Sequence, residues 1–144
     1  TKKNKWKPET VFKMKTIIIM GATSDEPHAK KITDKLDDFN IKWEQHAASA
    51  HKQPLKVLEI LEENKSNKNI VYITIAGRSN ALSGFVAANS EFPTIGCPPF
   101  SDKSDMLVNI HSTLQMPSQT PVLTVIDPGN CALAVKRIFG VWAT

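Results

Sequence analysis

Cysteine is scarce in this chain of 144 residues: it occurs only at Cys97 and Cys131. The two cysteines lie far apart and form no CxxC pair, which argues against a disulfide framework and against a structural zinc site. The four histidines are also scattered, and their spacing matches no metal-binding motif. The sequence therefore predicts no metal site.

Long apolar runs are missing as well. No run approaches the ~20 residues that a membrane-spanning helix requires. The apolar run at 16–20, which follows the basic N-terminus, is too short for the core of a signal peptide, since such a core needs at least ~7 apolar residues. We therefore expect a cytoplasmic protein with no membrane partner. The Walker and GxGxxG phosphate-binding patterns are absent too.

The formal net charge is +4, and a basic balance can indicate nucleic-acid binding. The lysines are spread along the chain, however, and their densest cluster lies at the N-terminus, in a segment without apolar periodicity. We interpret residues 1–14 as a flexible, solvated leader or linker rather than a nucleic-acid-binding arm. We interpret residues 15–144 as one folded domain with a core, and we expect no nucleic-acid partner.

Strand and helix patterns alternate along this domain. Short apolar runs rich in β-branched residues are typical of strands buried on both faces of a parallel sheet, and the segments between them carry apolar residues at helical spacing. The predicted strands are 16–20, 41–47, 70–75, 93–96 and 122–126, and the predicted helices are 26–39, one beginning at Pro54, 82–88, 105–114 and 127–139. The pattern predicts an α/β fold: a three-layer αβα sandwich with a five-stranded parallel sheet, of the flavodoxin-like type.

Polar segments follow several of the predicted strands. They are GATSD at 21–25, SAHK at 49–52, AGRSN at 76–80 and DPGN at 127–130. Because the carboxyl ends of parallel strands share one edge of the sheet, these segments should meet there. Together they offer hydroxyls, a carboxylate, an imidazole and two cations, which suits a phosphorylated polar ligand.

Some of these residues also have a structural explanation. Ser24 and Asp25 are good helix caps, and Arg78 could form a salt bridge to a neighbouring loop. His51, in a short loop, is either a proton-transfer residue or an ordinary loop histidine.

The remaining histidines and the first cysteine are interpreted as structural. We expect His28 on an exposed helix face, His46 at a strand end and His111 on the fourth helix. We also interpret Cys97 as structural, because the sequence provides no clear base partner for it.

Six segments, taken in order, carry a resemblance to a known family. They are IIIMGATSD, SAHK, ITIAGRSN, GCPPFSD, LQMPSQ and DPGNCALAVKRIF. In this order and spacing they resemble the family of phosphoribosylaminoimidazole carboxylase and its mutase relative, over residues 15–140. The mutase branch carries SAHR and a Gly- and Ala-rich loop with a second histidine. This chain has Lys52, the triplet 78–80 and no histidine from 76 to 84, so it resembles the branch that uses carbon dioxide directly.

The resemblance implies a function and a set of site residues. It implies carboxylation of 5-aminoimidazole ribonucleotide at C4 with carbon dioxide, in purine biosynthesis and without a cofactor. It implies His51 as the proton-transfer residue. The substrate-binding residues that it implies are Gly21, Ser24, Asp25, Ser49, Ala50, Lys52, Gly77, Arg78, Ser79 and Asn80. The alternatives are the mutase, a non-enzymatic nucleotide-binding domain and a decayed regulatory subunit.

The resemblance also implies a homo-octamer with sites built where subunits meet. The predicted helix at 82–88 gives separate support, because it is almost entirely small or apolar, and such a helix is normally buried on more than one side. We expect this helix to pack against symmetry mates through small residues such as Gly84. The alternative is a helix that merely covers its own sheet.

Overall fold

Six strands form one sheet in the computed structural model, which describes residues 2–3 and 14–143. The strands are β1 (Lys2–Lys3), β2 (Lys15–Met20), β3 (Trp43–Ala47), β4 (Ile70–Ile75), β5 (Thr94–Gly96) and β6 (Leu123–Thr124), in the spatial order β1-β3-β2-β4-β5-β6. Strands β2 to β6 are mutually parallel, and β1 pairs antiparallel with β3. The predicted five-stranded parallel sheet is confirmed, and β1 adds a sixth strand.

Helices follow each of the parallel strands. They are α1 (Glu26–Asp38), α2 (Pro54–Asn64), α3 (Leu82–Ala88), α4 (Lys103–Asn109), α5 (His111–Leu114) and α6 (Pro128–Trp142). The single helix predicted at 105–114 is two short helices, and the first begins earlier because the Asp102 carboxylate accepts a hydrogen bond from the Asp105 amide, capping α4.

Both faces of the sheet are covered, as the apolar strands predicted. On one face, Ile18 and Ile73 pack against α1 and α6. On the other face, Ile17, Ile19 and Tyr72 pack against α2 and α3. This arrangement is the predicted αβα sandwich.

The N-terminal segment was interpreted as a flexible leader at 1–14. Two of its residues form β1, in which Lys2 pairs with Gln45 and Lys3 with Glu44. The prediction for residues 1 and 4–13 falls outside the described residues.

Helix α3 packs against its own sheet. Leu82 and Val86 are buried against the sheet. A β-carbon on Gly84 would lie 2.8 Å from the Met116 sulfur, so this small residue makes room for Met116. The packing of α3 against symmetry mates stays a prediction. In the part of the chain that the structure describes, every helix is too short or too polar to span a bilayer.

Candidate active site

Three of the four polar segments surround one cavity at the carboxyl edge of the sheet. The edge is tied together by backbone hydrogen bonds, from the Gly21 amide to the Ile75 carbonyl and from the Ala48 amide to the Met20 carbonyl, each 2.9 Å long. The cavity has a volume of about 220 Å³. The predicted residues that line it are Gly21, Asp25, Ser49, Ala50, His51, Lys52, Gly77, Arg78 and Ser79.

Four further residues line the cavity without having been predicted. They are Ala22, Ala76, Ala81 and Leu82. Their side chains are small or apolar, so they carry no chemical signal in the sequence. Their positions within or beside the GATSD and AGRSN segments were the only available indication.

The SAHK segment is folded into a compact turn before α2. The Gln53 amide donates to the Ser49 carbonyl at 2.7 Å, and the Lys52 amide donates to the Ser49 hydroxyl at 3.1 Å. These bonds hold His51 at the tip of the turn, where it is exposed. The imidazole is therefore accessible to a ligand and is not a core histidine.

Asp25 precedes α1 but makes no capping hydrogen bond through its side chain. The explanation of Asp25 as a simple helix cap was therefore wrong, and its carboxyl belongs to the cavity wall. Burial raises the pKa of Asp25, and the positive field of His28 and a hydrogen bond from the Ala22 backbone offset part of this effect. Ser24 is exposed and does not line the cavity.

Arg78 is exposed and lies between the main cavity and a shallower one of about 440 Å³, which Asp105 and Asn109 help to line. Hydrogen bonds from Ser101 and Asn109 lower the pKa of Asp105, and the charge of Arg78 adds to this effect. Arg78 thus lines both cavities and interacts electrostatically with the Asp105 carboxylate.

Asn80, which the resemblance implied as a substrate-binding residue, is buried and lies outside the cavity lining. It is 5% exposed, and its side-chain amide is hydrogen-bonded to Ser83 and Thr113. One of its partners, Thr113, lies 33 residues later in the chain, so the motif alone does not indicate this contact.

His28 and Cys97 form a contact that the sequence analysis did not predict. His28 Nε2 lies 3.0 Å from the Cys97 carbonyl oxygen and 3.6 Å from its sulfur. His28 is therefore partly buried rather than free on an exposed face. Interaction with the Cys131 thiol lowers the pKa of Cys97, and the His28 ring adds to this effect. Cys97 thus has a basic neighbour, although it is fully buried and outside the cavity lining.

The other histidines lie in the predicted elements. His46 is in β3, with Nε2 3.5 Å from the Glu44 carboxylate, and His111 is exposed at the start of α5. Within residues 2–3 and 14–143, no group of three or more histidine, cysteine or acidic residues is arranged to hold a metal ion. The DPGN segment starts α6, where Asp127 accepts a hydrogen bond from the Asn130 amide and acts as the helix cap.

These features define an α/β protein of flavodoxin-like architecture, with a polar cavity that combines cations, hydroxyls and an imidazole at the carboxyl edge of the sheet. The chain belongs to the AIR carboxylase family, whose sequence model matches residues 15–144. The family consists of enzymes of purine biosynthesis.

Individual relatives agree with this assignment. Over 128 residues the chain is 49% identical to phosphoribosylaminoimidazole carboxylase of Archaeoglobus fulgidus, covering 89% of this chain and 70% of the relative. Over 127 residues it is 45% identical to phosphoribosylaminoimidazole carboxylase of Treponema denticola, covering 88% of this chain and 79% of the relative. The crystal structure of Treponema denticola PurE superposes with a TM-score of 0.85 at 44% identity, covering 89% of this chain and 81% of that chain.

Proposed function

We propose that this chain carboxylates 5-aminoimidazole ribonucleotide directly with carbon dioxide, giving the 4-carboxy product. The observation that carries the proposal is that the His51 imidazole lines the same cavity as Lys52 and Arg78. A nucleotide held through its phosphate by the cations would have its ring within the cavity that the imidazole lines.

The reaction needs a nucleophilic carbon and a base. The 5-amino group donates electron density into the ring, so that C4 attacks the carbon of carbon dioxide and forms the new C–C bond. One C=O electron pair moves to oxygen and gives the carboxylate. C4 then carries both the carboxylate and a hydrogen. His51 takes this proton, and the C–H electron pair restores the aromatic ring. The ring supplies the nucleophile itself, so the proposal includes no metal and no cofactor.

The other cavity residues bind the substrate in this proposal. Arg78, Lys52 and Ser79 contact the phosphate, and Asp25 accepts a hydrogen bond from a ribose hydroxyl. Binding energy from the phosphate end, which is remote from C4, positions the ring for attack. Ser24 lies outside the cavity lining and has no part in the proposal. The site would work in the cytoplasm, where phosphorylated intermediates are retained.

The mutase is the second candidate, since both activities occur in the family. Resemblance favours the direct carboxylase. The features that carry it are Lys52, the triplet 78–80 and the lack of histidine from 76 to 84. The test is an absorbance assay of the purified chain with aminoimidazole ribonucleotide and bicarbonate, without ATP. We expect the carboxylated product. Turnover of the N5-carboxylated nucleotide alone would indicate the mutase, and binding without either reaction would indicate a non-enzymatic domain.

We also propose that the chain assembles as a homo-octamer with sites between subunits. One chain provides about 220 Å³, below the ~300–1,000 Å³ of typical ligand cavities, and His51 lies exposed at its rim. A neighbouring subunit would enlarge the cavity and exclude water from it. Exposed apolar side chains, among them Leu55, Leu107 and Val108, offer surface for such contacts. Light scattering should give eight times the 15.9 kDa of one chain, and an active monomer would contradict the proposal.

A further inference from the structure

Asn80 ends the AGRSN segment, and every polar group of its side chain is engaged inside the protein. Its Oδ1 accepts a hydrogen bond from the Ser83 amide at 3.0 Å, and its Nδ2 donates to Ser83 Oγ at 2.7 Å and to Thr113 Oγ1 at 2.9 Å. A backbone amide can only donate, so the atom facing the Ser83 amide must be the oxygen. The side-chain orientation is therefore fixed by its partners.

The Asn80 backbone is fixed as well. Its amide donates to Ser112 Oγ at 2.9 Å, and Ser112 Oγ donates to the Asn109 carbonyl at 3.0 Å. Both the main chain and the side chain of Asn80 are thus bound to α5, although α5 lies more than 30 residues further along the chain.

The network continues into the sheet. Ser83 Oγ lies 2.6 Å from Thr74 Oγ1 in β4, and Thr74 Oγ1 donates to the Ile95 carbonyl in β5 at 3.5 Å. Ser83 Oγ accepts from Asn80, so its own hydrogen is available for Thr74. Thr74 and Ser83 are fully buried, which makes these hydrogen bonds costly to break.

The cavity residues Arg78 and Ser79 lie between two fixed points. The buried strand β4 ends at Ile75, and Asn80 is tied to α5. Between these points, Gly77 is packed against the Pro99 carbonyl. Few conformations remain for a segment this short when both ends and its middle are held.

We propose that Asn80 is a positioning residue: it ties the AGRSN loop to α5 and thereby holds Arg78 and Ser79 in place for the nucleotide phosphate. This inference rests on the proposed function, and it replaces the direct substrate contact that the resemblance implied for Asn80. Loss of its side chain removes the bonds to Ser83 and Thr113 and leaves the backbone bond to Ser112. The loop is then held less firmly, so the effect falls on phosphate binding and not on proton transfer at C4.

The matched control is Asn64, which is also 5% exposed. Its side-chain Nδ2 donates to the Ile60 carbonyl at 2.8 Å, and its Oδ1 accepts from Asn67 Nδ2 at 2.9 Å. Asn64 lies at the end of α2, outside the cavity lining. Asn80→Ala and Asn64→Ala should both lower the melting temperature. Only Asn80→Ala should weaken binding of aminoimidazole ribonucleotide, by roughly tenfold, and binding of the dephosphorylated nucleoside should change little.

The decisive measurement is a double-mutant cycle by calorimetry with that nucleotide. If Asn80 acts through Arg78, then Asn80→Ala should lower the nucleotide affinity only slightly further in a protein that already carries Arg78→Ala. Independent, additive losses would overturn the proposal, as would equal affinities of the Asn80→Ala and Asn64→Ala proteins. Should Asn80→Ala fail to fold, Thr113→Val keeps the shape of the partner and removes one acceptor, and the same cycle applies. A wild-type chain that binds the nucleotide without carboxylating it would refute the proposed reaction and leave this test intact.

Discussion

The carbonyl oxygen of Pro99 lies against the α-carbon of Gly77, so closely that a β-carbon at position 77 would come within 2.8 Å of it. A backbone oxygen cannot turn aside as a flexible side chain can. The glycine is therefore required because there is no room for a side chain. Its backbone conformation does not require it, since none of the described glycines has a positive φ. The contact joins the loop that follows β4 to the residues that follow β5.

Gly77→Ala should displace the loop that carries Arg78. We expect nucleotide binding at least ~10-fold weaker, because charge-assisted contacts depend on geometry, together with a lower melting temperature. Calorimetry and thermal unfolding measure the two effects. Gly140→Ala is the control: a β-carbon there meets nothing within 4 Å, and alanine is the better helix former in α6 by about 0.5–1 kcal/mol. Unchanged nucleotide affinity in Gly77→Ala would contradict the role given to the contact.

His51→Asn should retain nucleotide binding and lose at least ~100-fold in turnover, the lower range for general acid–base catalysis. The reason is that asparagine keeps a polar side chain but cannot take the C4 proton. Steady-state rates and calorimetry on the same protein separate the two effects. His111→Asn, which changes an exposed histidine outside the cavity lining, should behave as wild type. Near-normal turnover in His51→Asn would remove the proton-transfer role.

Arg78→Ala should weaken binding of the nucleotide by roughly ten- to a hundredfold, because a hydrogen bond to a charged group contributes about 1.5–3 kcal/mol. The dephosphorylated nucleoside should be affected much less. Arg137, the other arginine of the chain, is exposed on α6, and Arg137→Ala serves as the control. Equal losses for nucleotide and nucleoside would show that Arg78 does not contact the phosphate.

Glu44 should make folding stability sensitive to acid. A hydrogen bond from His46 and the nearby Lys15 lower the pKa of this buried carboxyl to about 2, against the opposing effect of burial. Lys15 and Lys3 lie 3.3 Å and 4.0 Å from its oxygens. Because the folded-state pKa is depressed, the stabilisation is present above the unfolded value of 4.5 and is lost as the pH falls toward about 2.

The measurement is thermal unfolding of Glu44→Gln and wild type between pH 7 and pH 2. The variant should be less stable by about 1–3 kcal/mol above pH 5, and the difference should shrink as the pH falls. Glu59→Gln, at an exposed position on α2, should follow the wild-type curve. A difference that is constant with pH would mean that Glu44 does not contribute through its charge.

Much of the fold and cavity could be predicted from the sequence because the signals were local. The apolar strands identified a sheet with two covered faces, and the order of strands and helices placed His51 and Arg78 at one edge. The contacts of Asn80 and His28 could not be predicted, for the opposite reason. Their partners, Thr113 and Cys97, are 33 and 69 residues away, and helical spacing cannot indicate a contact of that kind.

The two lateral edges of the sheet differ in how they would meet a further strand. At one edge, β1 covers β3 with a two-residue strand made of lysines, and short, charged strands at an edge discourage the pairing of another backbone. At the other edge lies β6, also of two residues, where Leu123 is 52% exposed. We therefore expect self-association by strand addition at β6 and not at β1. A lysine or proline placed in β6 would be the first change to make against aggregation.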